Sequence, residues 1–489
     1  MKGESKGDFT RDTFDPTKHF ARVLMQQGRV QLDADSNEQT DILLHYIRTL
    51  AEDIIGPFAG TDQGFEITKS NEIFYIGYGR YYVDGILVEN ELNDNPCKGN
   101  NRVGLNYIAQ QDYPNKDFPL ATENFPILFY LDVWERHISC IEDDDIREKA
   151  LLGPDTATRS KVICQVKVLK SGKSALGECV LTPYNTCKQV KDNWKSIKDC
   201  LQPHNRGCLS ARAKKPVQNA NDPCIISPES HYRGAENQLY RVEIHRGGKA
   251  WDKKTKDITA DFATFKWSRD NGSVVFPISS ISGNDVTLEH LGRDARSSLN
   301  GGDWVELIDD DYTLLSLSRP SPLLSGPRPL AQVKNLSLTE RKVTLNLMKD
   351  FHLPDYDTIK DKHPILRRWD YRESDPAKSN KPTPSDGGFS ALFVEEGDCK
   401  EDGNWLTLED GVQICFQAGD LNKYQAGDYW LIPARTATGD VEWPGSLKDP
   451  MPLPPHGIGH HYAPLAVVSD ITGEPTGCRC KIKQTNECP

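Results

Sequence analysis

The residues most able to do chemistry in this chain are its thirteen cysteines and twelve histidines, and both are clustered. Cys164, Cys179, Cys187, Cys200, Cys208 and Cys224 fall in one window, and Cys478, Cys480 and Cys488 lie together near the last residue. Cys179/Cys187, Cys200/Cys208 and Cys480/Cys488 share a separation of eight, which is not the C-x-x-C spacing of a zinc site. Only Cys478-Arg479-Cys480 is tight enough for a chelate or a redox pair. Three readings compete: disulfides, a zinc site drawn from several loops, and buried free thiols. Disulfides lead for the six clustered cysteines, because a turn-rich segment with few apolar residues needs a staple. Their pairing is open, and the odd total leaves at least one thiol unpaired within the chain.

The densest histidine group is HGIGHHY, with His456, His460 and His461. Imidazoles four apart chelate a metal when they share a helix face, but this stretch follows PLPP and contains two glycines, which disfavours a helix. The expectation is a packed loop, with His456, His460, His461, Cys478 and Cys480 as the weak candidates for a metal. Two acidic runs, Glu142–Asp145 and Asp309–Asp311, lack the spaced ligands and glycine of a calcium loop and read as solvated turns. Walker, dinucleotide, zinc-protease and nucleophile-elbow motifs are missing, so no cofactor and no catalytic residue is expected. A glycosidase pair assembled from distant carboxylates stays open, and Trp405, Trp430 and Trp443 are either sugar-stacking or core residues.

Several elements would position these groups. At 489 residues the chain is long enough for two to four domains. Its 37% hydrophobic and 27% charged residues are those of a globular protein. No run approaches the ~18 apolar residues of a spanning helix. The polar start MKGESKGDFTRDTFD has no signal-peptide core, so cytoplasmic assembly without classical secretion is expected. A net charge of −12 with no dense basic arm argues against nucleic acid and anionic lipid as partners.

Near the N-terminus, Val30, Leu32 and Ala34 alternate as in a short strand. Ser36 and Gln39 then stand at capping-box spacing, which predicts a helix from Asn37 to Ile55. Leu43, Ile47, Leu50 and Ile54 form one apolar stripe on it, and Gly56-Pro57 is the stop. After that the period becomes two. Asp84-Gly85 and Asn271-Gly272 are hairpin signals, and Pro126–His137 and Lys161–Lys170 read as strands. GDWVELIDD resembles GDYWLIPAR, and ISGNDVTLEHL resembles LTERKVTLNLM, which hints at duplicated β units.

The expected fold is mainly β: a multi-domain β-sandwich or barrel-like body with a short N-terminal strand-helix segment and a cysteine-rich insert. The expected divisions are an arm and docking helix (1–60), a β domain (61–170), the insert (171–235), a second β domain (236–330) and a C-terminal β domain (331–489). Tyr371–Gly388 reads as a surface loop.

The segment DFTRDTFDPTKHFARVLMQQGRVQLDADSNEQ resembles the start of an uncharacterised domain family encoded beside phage-tail-like contractile injection systems. The likeness continues through LDVWERH, LLGPDTATR, ENQLYRVEIH, ATFKWSRDNGSVVFPI, HPILRRWD and HHYAPLA. The first ninety residues or so also resemble N-terminal regions of phage tail and baseplate proteins. Ser36 departs from the pattern, which has tryptophan before Asn37, and the insert carries more cysteines than usual. The resemblance implies a non-enzymatic component of the particle, at or near its baseplate and spike end, that meets other baseplate proteins and copies of itself. Such a particle is released outside the cell or anchored at a membrane. The expected docking residues are Arg22, Gln27, Arg29, Asn37, Gln39, Leu43, Ile47, Leu50 and Ile54. The alternatives are an envelope-directed carbohydrate-binding or glycan-hydrolysing protein, and a tail-fibre-like receptor binder.

Overall fold

The computed structural model describes residues 5–91, 104–114, 125–170, 184–202, 206–214, 231–251, 262–292, 294, 296–316, 328–347, 351–370, 391–400, 403–470 and 472–482. Most ordered elements are strands, in several sheets. The fold is mainly β, with one long helix near the N-terminus, α1 (Asp33–Ile55), and short helices elsewhere.

The sheets are built from segments far apart in sequence. The two longest strands, Ile127–Ile138 and Arg159–Lys170, pair antiparallel over their whole length. His461–Val468 then joins the free side of Ile127–Ile138. Small hairpins of residues 58–90 cover this sheet, and Phe129, Leu131, Val133, Tyr81, Val83 and Leu465 form the buried layer between them. In the centre, Gln238–Arg246 lies between Thr264–Ser268 and Tyr429–Arg435. It faces a second sheet in which Cys208–Ala213 pairs with Val412–Gln417, and Trp267, Trp430, Phe265, Phe416 and Ile414 fill the space between.

The third unit is a closed six-stranded barrel of Val275–Ser282, Asp285–Leu288, Lys342–Asn346, Ala331–Ser337, Trp304–Ile308 and Ile365–Trp369. Closure removes the sheet edges that would otherwise invite other strands. ISGNDVTLEHL and LTERKVTLNLM are two hairpins of this barrel, and their Val-Thr-Leu strands pair with each other through Val286 and Val343. The other similar pair is split, since Trp304–Ile308 is in the barrel and Tyr429–Arg435 in the central sheet.

The hairpin signal at Asp84-Gly85 is a tight turn between paired Val83 and Ile86, both turn residues having positive φ as a type I′ turn needs. Asn271-Gly272 adopts the same backbone signs but does not close a hairpin. The strand before it belongs to the central sheet and the strand after it to the barrel, so it carries the chain between them. Asn271 is spent there on tying segments together, accepting from Arg241 at 3.1 Å and donating to the Gly7 carbonyl at 3.0 Å.

A buried charge network lies at that junction. Glu243 accepts from Arg241 at 2.6 Å and pairs with Lys6 and Lys266, each at 3.4 Å. Lys266 donates to Glu306 of the barrel at 2.6 Å and lies 4.3 Å from the Trp369 ring centroid, while Trp369 donates to the same Glu306 at 3.0 Å. Burial by itself would raise both carboxyls; Lys6, Arg241 and Lys266 around Glu243, and Lys266 beside Glu306, hold them below their usual range. His245 is pushed down to about 3, first by burial and then by Lys266.

Two outcomes follow from this network. Lys266→Met removes the cation that two buried carboxylates share, so denaturant unfolding should show a loss of about 3–5 kcal/mol. A free His has a pKa near 6.5, above that of folded His245, so the stability this residue contributes is complete above pH 6.5 and is lost as pH falls toward 3. At pH 5 the expected loss is about 2 kcal/mol, and in His245→Asn the fall in unfolding midpoint between pH 7 and 5 should be correspondingly shallower.

Candidate functional site

The expected chemistry residues are placed apart and engaged one by one. His460 is buried and donates from Nδ1 to Asp132 at 2.7 Å, and Lys167 pairs with the same carboxylate. Burial would raise the Asp132 carboxyl, but His460 and Lys167 hold it low. His461 donates to Asp84 at 2.9 Å, and His456 stacks on Tyr429 with 5.6 Å between ring centroids. Among the described residues, no three His, Cys, Asp or Glu side chains gather as metal ligands do. The acidic runs find cations instead. Asp144 pairs with Arg147 at 2.8 Å, Asp309 with Arg328 at 2.8 Å and Asp310 with Arg136 at 2.6 Å. Trp430 is core, Trp443 packs at the edge of the same core, and Trp405 is covered by the Arg212 guanidinium at 3.9 Å.

The cysteine expectations are met in part, Cys187 and Cys200 being disulfide-bonded and Cys164 and Cys208 not. Cys187 is bonded to Cys478, not to a neighbour within the insert, and so ties the helix Cys187–Asp192 to a segment 291 residues away. That bond also overturns the Cys478/Cys480 pair, since Cys480 is a free thiol with the Lys191 ammonium at 3.7 Å. Cys200 is disulfide-bonded. Cys164 and Cys208 are free thiols, both on strands, and burial pushes the Cys164 thiol up to about 12. A further disulfide, Cys399–Cys415, joins two cysteines that spacing did not single out. Cys179, Cys224 and the loop Tyr371–Gly388 lie outside the described residues.

A cleft of about 1030 Å³ lies between the hairpins and the strand Arg159–Lys170. Its wall is about half apolar, with Phe65, Ile76, Leu105 and Val162, and half polar, with Glu89, Glu91 and Gln110, and Asp112 there is ion-paired with Lys161 at 2.8 Å.

The most unusual surface is the N-terminal arm with α1. Of the twenty large hydrophobic residues exposed among the described residues, eleven lie between Phe20 and Ile54, so this is a patch and not a scatter. Leu43, Ile47, Leu50 and Ile54 are 52%, 60%, 60% and 74% exposed. The stripe therefore does not pack on the β body. Fully burying a Leu or Ile contributes about 1.5–3 kcal/mol, so these four leave roughly 4–7 kcal/mol of transfer free energy unused.

The helix begins four residues before the expected Asn37. Asp33 and Asp35 occupy its first turn, where the helix dipole favours acids, and Asp35 accepts from the Leu32 N–H at 3.4 Å. Ser36 is therefore inside the helix and not its cap. Val30 and Leu32 are exposed and pair with no strand among the described residues, so the alternation there marks an extended arm. Gly56, with φ of 88°, ends the helix as expected.

The arm folds back along the first half of α1. Thr10 donates to Asp33 at 2.9 Å, Thr13 to Glu38 at 2.6 Å, and the Val23 N–H to Gln39 at 2.9 Å. Gln39 is thus used within the chain and not presented for docking, whereas Arg22, Gln27, Arg29 and Asn37 are exposed. Two fixtures hold this assembly to the body. At one end, residues 5–7 are threaded into the central charge network, Arg241 donating to the Ser5 carbonyl at 2.9 Å. At the other, Arg48 pairs with Glu135, and the Arg48 backbone sits directly on Gly85, where a Cβ would lie 2.1 Å from its carbonyl oxygen.

These features define a β-rich chain that carries an apolar helix face outward on a fixed mount. The chain belongs to a family of unknown function (DUF6519), which matches it over residues 5–201 and 186–488. No curated protein and no solved structure matches it.

The mount is testable at Gly85. Gly85→Ala meets both a positive φ and the Arg48 carbonyl, so thermal unfolding should show a loss of at least about 1–2 kcal/mol. Hydrogen exchange in the second half of α1 should rise more than in the barrel.

Proposed function

We propose that this protein is a non-enzymatic structural component of a phage-tail-like contractile injection particle, at or near the baseplate and spike end. The particle itself comes from the sequence resemblance through DFTRDTFDPTKHFARVLMQQGRVQLDADSNEQ and the later matching segments. The observation that carries the attachment role is the outward apolar face of α1, held on a body cross-linked by ion pairs and disulfides. A rigid body with one exposed, fixed apolar helix has the form of an assembly subunit, because the ordering cost of the docking element is already met before its partner arrives.

Two further observations support this reading. The buried carboxylates Asp132, Glu243, Glu306 and Asp428 each face a cation and serve the fold. Disulfides fit a protein whose working place is oxidising, as the outside of a released or envelope-anchored particle is. Assembly would precede export, and the partners would be neighbouring baseplate proteins and copies of this chain.

The test is co-sedimentation of the native protein from lysate with large sheathed particles. Replacing Arg22–Ile55 by a flexible linker should abolish incorporation while the β body keeps its cooperative unfolding. Full occupancy of the truncated protein in the particle would sink the attachment role, and a chain that never enters the particle fraction would sink the particle reading itself.

A further inference from the structure

The geometry points to a second copy of this chain as the occupant of the α1 stripe, docked antiparallel across a two-fold axis. The spacing of Leu43, Ile47, Leu50 and Ile54 is four, three, four, which is the seam of a two-helix coil and fits a helical partner. The same four residues form a palindrome. Turning one helix end for end about an axis between Arg48 and Thr49 sets Leu43 against Ile54 and Ile47 against Leu50. Each of the four layers then holds one leucine and one isoleucine. An isologous contact requires this self-complementarity.

The charges around the seam fit the same arrangement. Asp33, Asp35, Glu38 and Asp41 lie outside the stripe, so two acidic helices approach without setting carboxylates against each other in the seam. Glu52 and Asp53 occupy the last turn of α1, where the dipole disfavours acids and no basic residue offsets them. In the antiparallel pair that turn lies beside the first half of the partner helix. The arm bound there places exposed Arg22 next to Val23, which is tied to Gln39. The basic arm of one copy and the acidic last turn of the other are complementary, and the two helix dipoles run in opposite senses. The exposed flanks sort in the same way, with Leu44 beside Ala51 on one side and Tyr46 facing Asp53 on the other.

This pairing does not depend on the particle reading, and its test uses purified full-length protein. Light scattering at tens of micromolar should give twice the chain mass. Ile47→Asp should give the chain mass and keep cooperative unfolding, with the melting temperature of the parent chain diluted to monomer, because Ile47 is already exposed in the single chain. Orientation is read by mixing Leu43→Cys with Ile54→Cys under mild oxidation, against the parent chain as control for Cys140, Cys164, Cys208 and Cys480. Antiparallel pairing gives the mixed dimer in excess of either variant alone. A monomer at all these concentrations, an oligomer that survives Ile47→Asp, or cross-linking of each variant only with itself would each overturn the proposal.

Discussion

Lys266 and the two carboxylates it joins are the constraint on which the rest of the structure depends. Glu243, Lys266 and Glu306 are almost fully buried, and a charge in that position is tolerable only with its partners in place. Glu243 and Lys266 sit on neighbouring strands of the central sheet, and Glu306 sits on the barrel. The network therefore exists only when sheet and barrel are docked, and the docking is specified by electrostatics as well as by packing. Lys6 completes it from the far N-terminus, so the same interaction fixes where the arm begins.

That fixed start gives the exposed helix its meaning. A helix on a loose tether would bury its apolar stripe on the nearest surface, since the transfer free energy favours this. Here the arm occupies one side of α1, Arg48 is held by Glu135, and the turn at Gly85 accepts the helix backbone directly. The body thereby holds the stripe away from itself. The Cys187–Cys478 bond stabilises the body by a separate route, closing a loop with a sequence separation of 291 and restricting the unfolded ensemble.

Much of this was legible in residue order wherever the deciding interaction is local. The helix end at Gly56, the turn at Asp84-Gly85, the strands read at Pro126–His137 and Lys161–Lys170 and the apolar stripe of α1 rest on periodicity and on backbone preferences of single residues. The helix start was misplaced because two signals competed. Ser36 has the cap spacing, but Asp33 and Asp35 satisfy the first turn earlier. Asn271-Gly272 shows the limit of a turn signal, which specifies a reversal of the chain and not which sheets lie on either side.

The sequence by itself determined the β-rich class, the existence and face of α1, and membership of a recognisable family, because these rest on spacing between near neighbours or on likeness along the chain. Only the tertiary structure decided the cysteine partners, the charge network, the strand neighbours of Ile127–Ile138 and the fact that the stripe faces outward. These depend on contacts between residues tens to hundreds of positions apart. The residue types at each end are compatible with many partners, and loop closure and packing select among them. An amphipathic helix says that one face will be covered, and the body around it decides whether the cover comes from its own chain.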